Sequence, residues 1–131
     1  MAADLLILAH DAGYERRFNI SSLAASYVAG EKTVDLVLFF AALAAWVRGE
    51  WDDTEPAAVL PPGRAEELGF PPLSTFLASG LASGKLRVYA CSASARLLGL
   101  DAAVVQPRVQ AILGWQTISL MVEQASRVVT F

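Results

Sequence analysis

The sequence predicts an α/β fold, a three-layer α/β/α sandwich with a mainly parallel five-stranded sheet, in a single domain spanning residues 1–131. Three observations carry this. Short apolar runs recur along the chain, as strands buried on both faces require. Segments with apolar residues at helical spacing stand between those runs. Glycines follow several of the helical segments, where a C-cap belongs. Strands separated by helices need crossover connections, and crossovers lay strands side by side in parallel.

The first strand is Leu5-Leu6-Ile7-Leu8-Ala9, a continuous apolar run. Ile20, Leu23, Ala24, Tyr27 and Val28 then fall on one helix face, and Gly30 closes it. Val34 to Phe40 reads as the second strand, turning into a helix over Ala41 to Val47. From Arg48 to Pro72 the periodicity fails: Glu50, Asp52, Asp53 and Glu55 precede Pro56, Pro61-Pro62-Gly63 and Pro71-Pro72. This stretch is expected to be a surface excursion or a gate, with its middle the most mobile part of the chain. Leu73 to Ser83 is a helix closed by Gly84, and Leu86 to Ala90 is the third strand. A helix starts at Ser92 and ends at Gly99. Ala103-Val104-Val105 is read as a possible short strand, since Pro107 forbids a long one. Ile118, Met121, Val122 and Ala125 share a helix face after Gly114, and Arg127 to Phe131 is the last strand.

Composition narrows the function classes. Of 131 residues, 55% are hydrophobic and 18% charged, ample for a core and too apolar for disorder. Ten scattered basic residues against thirteen acidic ones leave a net charge of −3, so nucleic acid is not the expected partner. The longest uncharged apolar stretch, Leu36 to Val47, falls short of the ~18 residues of a membrane span, and no basic segment opens the chain as in a signal peptide. A cytoplasmic protein away from membranes is the expectation, in keeping with a single cysteine that excludes an intrachain disulfide. No dinucleotide or triphosphate glycine motif is present, so no cofactor is expected. With one histidine and no cysteine cluster, no metal site is expected either.

The candidate chemistry lies at three strand exits. In open parallel sheets, ligands bind outside the carboxyl ends of strands. His10-Asp11 follow the first strand, Phe39-Phe40 the second, and Cys91-Ser92 the third. Ser92, Ser94 and the small alanines around them leave backbone amides open near the sulfur, and a helix start favours thiolate over thiol. If the first and third strands lie close, His10 can take the Cys91 proton, with Asp11 either orienting it or serving as a turn residue. Equally, Cys91 is a small hydrophobe in the core.

Val88-Tyr89-Ala90-Cys91-Ser92-Ala93-Ser94, then Leu98-Gly99-Leu100, and the tail from Gly114-Trp115-Gln116 to Val129-Thr130-Phe131 resemble the C-terminal half of DsrE/DsrF-like sulfur-relay proteins. The opening strand, alanine-rich helix and Val37-Leu38-Phe39-Phe40 are similar to that family's first β-α-β unit. The resemblance implies trimers or hexamers, and a persulfide held on the cysteine that Cys91 matches. Sulfur donor and acceptor proteins are then the implied partners, and the function a cytoplasmic sulfur carrier or sulfurtransferase. The Pro-rich insertion and the absence of a second cysteine depart from the family pattern. The alternative is an oligomeric, non-catalytic binding or scaffold protein of the same fold, with Cys91 buried and inert. A small-molecule crevice at His10, Phe40 and Cys91 is a third expectation.

Overall fold

The computed structural model describes residues 2–54 and 59–131. Its five strands are β1 (Leu5–Ala9), β2 (Val34–Leu38), β3 (Leu86–Cys91), β4 (Ala111–Leu113) and β5 (Arg127–Thr130). They form one sheet in the order β4-β3-β2-β1-β5, and every pairing is parallel. The three-layer α/β/α fold is therefore as the alternating pattern predicts.

Strand order dictates where each helix goes. From β1 through β4 the chain steps steadily toward one edge, and right-handed crossovers put all the intervening helices on one face. These are α1 (Tyr14–Ala29), α2 (Phe40–Val47), α3 (Arg64–Glu67), α4 (Leu73–Ser83), α5 (Ser92–Leu97) and α6 (Ala102–Val105), the last running into a 3-10 turn at Gln106–Arg108. The step from β4 back to β5 reverses direction. Its helix, α7 (Trp115–Gln124), accordingly covers the opposite face alone.

Alternation along the strands divides the core to match. Leu5, Ile7 and Ala9 of β1, with Leu36, Leu38, Val88 and Ala90, pack under Ile20, Ala24, Leu43, Leu73 and Leu77 of the helical face. Leu6, Leu8, Val37, Phe39 and Cys91 point the other way and meet Ile118 of α7. Close approach is visible at Gly80 of α4, where an added Cβ would stand 2.8 Å from the Leu86 side chain and 3.0 Å from that of Val28. Only glycine lets α4 lie this near β3 and α1.

One expectation is corrected and another is sharpened. The fourth strand is Ala111–Leu113, not 103–105: Asp101 stands at the N-cap of α6, and the three alanine and valine residues continue as a helical turn. The first part of the excursion after α2, residues 50–53, is anchored to the core. Trp51 is buried and donates its indole N–H to Ser21 Oγ at 3.0 Å. The buried Arg17 guanidinium donates to the carbonyls of Ala12 (2.6 Å), Glu50 (3.1 Å), Asp53 (2.5 Å) and Trp51. Asp52 receives the Ser74 amide and hydroxyl, each at 2.6 Å, and so satisfies an open donor in the first turn of α4. Glu55 and Pro56, expected at the mobile middle, lie outside the described residues.

Candidate functional site

The carboxyl ends of the strands bring the predicted residues to one edge of the sheet. β3 leads into α5 on one face and β4 leads into α7 on the other, so the connections of two neighbouring strands diverge there. Such a switch point is the usual place for a ligand crevice in an open parallel sheet. Cys91 sits at it, paired in register with Leu113 and standing at the N-cap of α5.

The crevice is closed by side chains. Cys91 is 1% exposed and belongs to the apolar cluster of Leu6, Leu8, Val37, Phe39 and Ile118. Phe39 is stacked between two rings, with His10 at 4.7 Å and Trp115 at 5.2 Å between centroids. This His10–Phe39–Trp115 stack caps the α7 side of the sheet at the edge where Cys91 ends β3. Trp115, half exposed, forms its outer layer.

Strand order also separates the expected acid–base pair. β2 lies between β1 and β3, so His10 and Cys91 stand two strand spacings apart, roughly 10 Å across the sheet. The condition for a Cys–His pair, adjacency of those strands, is not met. The His10 ring lies flat on Phe39, and its backbone N–H donates to the Phe131 carbonyl at 2.8 Å. Asp11 closes a turn instead: Oδ1 accepts the Gly13 amide at 3.1 Å, and Oδ2 lies 3.4 Å from Arg16 Nε. Its carboxylate is thereby a turn group facing solvent.

Phe40 starts α2 at φ +40°, inside the left-handed region that a bulky side chain avoids. The kink turns β2 directly into the helix and leaves the phenyl ring 45% exposed at the rim. Ser92 is half-buried at the start of α5. Ser94 is fully buried, and its hydroxyl has no hydrogen-bond partner among the described residues. α5 is six residues long, and its one cationic side chain, Arg96, lies in its last turn and is exposed. Among the described residues, no group of His, Cys, Asp and Glu side chains is arranged to hold a metal.

Sequence reasoning placed Phe39 at a strand exit without giving it a role, and it missed Asp35 altogether. Phe39 organises the edge, and its signal was its place beside Phe40 at a strand exit. Asp35, inside the apolar run of β2, stands opposite Arg87 in register and holds its guanidinium bidentately, Nε–Oδ1 2.8 Å and Nη2–Oδ2 3.2 Å. Burial pushes the Asp35 carboxyl above the usual carboxylate range, against the pull of Arg87. The pair lies on the α7 side of the sheet, and a lone aspartate in a buried strand signals such a partner.

No protein-family model and no curated protein matches the chain. Solved structures do. A protein of unknown function, MTH1491 from Methanobacterium thermoautotrophicum, is similar over 97% of both chains at a TM-score of 0.63 and 14% identity. BT1422 from Bacteroides thetaiotaomicron, also of unknown function, is similar over 98% of this chain and 95% of its own, at a TM-score of 0.59 and 13% identity. At such identities the likeness establishes the α/β/α fold. No helix among the described residues is long and apolar enough to cross a membrane.

Proposed function

We propose that this chain is a non-catalytic, homo-oligomeric binding or scaffold protein in which Cys91 is a packing residue. The burial of Cys91 in an apolar cluster carries this reading, because a reactive cysteine needs access and an electropositive surround. Self-association is supported by what α7 leaves uncovered. Trp115, Leu120, Val122 and Val128 are exposed apolar side chains on α7 and β5, the least buried part of the sheet. A second copy of that surface would remove them from water.

The second reading is a persulfide carrier related to the DsrE/DsrF-like proteins, and the place of Cys91 at the switch point favours it. The Cys91 thiolate would attack the outer sulfur of a donor persulfide, forming the new S–S bond as the donor leaves as thiolate. An acceptor thiolate would later take that sulfur. One experiment separates the two. Native protein treated with iodoacetamide slightly below neutral pH should stay unlabelled and react only after denaturation, while light scattering reports more than one chain per particle. Rapid native labelling, with gain of one sulfur atom from a persulfide donor that Cys91→Ser abolishes, would replace the scaffold reading with the carrier. A monomer at micromolar concentration would remove the assembly from either.

A further inference from the structure

The anchored excursion builds a second concave site. Between α1 and residues 59–70 lies a cavity of about 370 Å³, walled by Tyr14, Phe18, Leu60, Leu68 and Phe70. Its walls share no residue with the Cys91 cluster. That volume falls toward the small end of the ~300–1,000 Å³ typical of small-molecule sites. Leu68 and Phe70 stay substantially exposed at its wall, apolar surface that a ligand would cover.

Two charged side chains line the cavity, and they differ in what they have left to offer. Glu15 is engaged, its Oε1 accepting the Val59 amide at 2.8 Å. Among the described residues, Arg64 is held by one contact, Nε to Glu67 Oε2 at 3.5 Å, in an exposed pair one helical turn apart. Exposed pairs of this kind contribute little and exchange readily. A guanidinium presents five donors in a planar fork that fits a carboxylate. The charged group the cavity can still supply is therefore a cationic donor, with the Asn19 amide also on the lining, beside an aromatic and aliphatic wall.

We propose that this cavity binds a small free carboxylic acid with an apolar body, its hydrocarbon against Phe18, Leu68 and Phe70 and its carboxylate on Arg64. The site is independent of the assembly and of any chemistry at Cys91, and the variants that test it touch neither.

Isothermal titration calorimetry of the full chain with octanoate, octan-1-ol and octylamine tests it, the three probes sharing one tail length and differing in head group. Octanoate should give a saturable isotherm and bind about tenfold tighter than the other two, the margin of a charge-assisted hydrogen bond. Arg64→Gln should erase that preference, and Ala65→Phe, which fills the cavity, should remove binding. Should circular dichroism show that Ala65→Phe unfolds the chain, Arg64→Gln, a change at an exposed side chain, decides alone. Equal affinity for the three probes, octanoate binding unchanged in Arg64→Gln, octanoate binding retained in a folded Ala65→Phe, or no saturable isotherm overturns the proposal.

Discussion

The two faces of the sheet are built from the same kind of strand and end up unlike each other. One is roofed by α1, α2, α4 and α5, with the 48–72 excursion tied on by Arg17, Trp51 and Asp52. The other carries α7 alone, with Ile118 its one fully buried side chain. The cause is the direction of chain travel across the sheet: three crossovers run one way and one runs back, and handedness assigns each its face. Helix coverage is thus a product of strand order more than of local hydrophobicity. It leaves one face roofed by several helices and the other covered by one, with Trp115, Leu120, Val122 and Val128 exposed on α7 and β5.

Matched truncations on the two faces should give the largest effect. Leu43 and Ile118 are both fully buried, but Leu43 sits in the densely roofed core and Ile118 on the single helix of the other face, whose surroundings can collapse. Leu43→Ala should cost about 4 kcal/mol in denaturant unfolding and Ile118→Ala about 2 kcal/mol. Equal losses would show that the α7 face is as tightly packed as the other.

Arg17→Met should cost about 3 kcal/mol, because carbonyls of Ala12, Glu50, Trp51 and Asp53 lose a buried cationic donor. The same variant should make the excursion the first site of limited proteolysis while β1 and β2 stay protected. Unchanged cleavage would mean that Trp51 and Asp52 suffice as anchors.

On the α7 face, Arg87→Met should cost about 2–3 kcal/mol near neutral pH by leaving the Asp35 carboxylate without its bidentate partner. The sign with pH follows from the raised Asp35 carboxyl. Burial makes the folded state hold this proton more tightly than the unfolded chain, so the group's penalty is absent below the unfolded value and grows as pH rises through the folded one. Removing Arg87 enlarges that penalty. The gap between variant and wild type in urea midpoints should therefore be small in acid and widen toward neutrality; a gap that stays constant with pH would show that Arg87 contributes by packing instead.

The wrong placement of the fourth strand shows where sequence reading fails. Ala103-Val104-Val105 and Ala111-Ile112-Leu113 are equally apolar triplets, and propensity over three residues cannot separate them. What decides is the neighbour: the second triplet reaches β3 and pairs Tyr89 with Ala111, while the first, following Asp101, closes a helical turn. The anchoring of residues 50–53 was hidden for a related reason. Its prolines and acids look solvated one by one, and only a distant buried arginine on α1 turns its carbonyls into anchors.

By itself the chain determined the alternation of strand and helix, the parallel α/β/α class, the glycine that ends α4 and the set of residues delivered to the carboxyl edge. Those are local or periodic properties, written in apolar spacing and in the special dihedral freedom of Gly84 at φ +76°. Tertiary structure alone decided that β2 separates His10 from Cys91, that Phe39 fills the edge between His10 and Trp115, and that Cys91 is buried. Strand order and ring packing depend on contacts between residues distant along the chain, and no local pattern in a single sequence encodes which of those distant partners will meet.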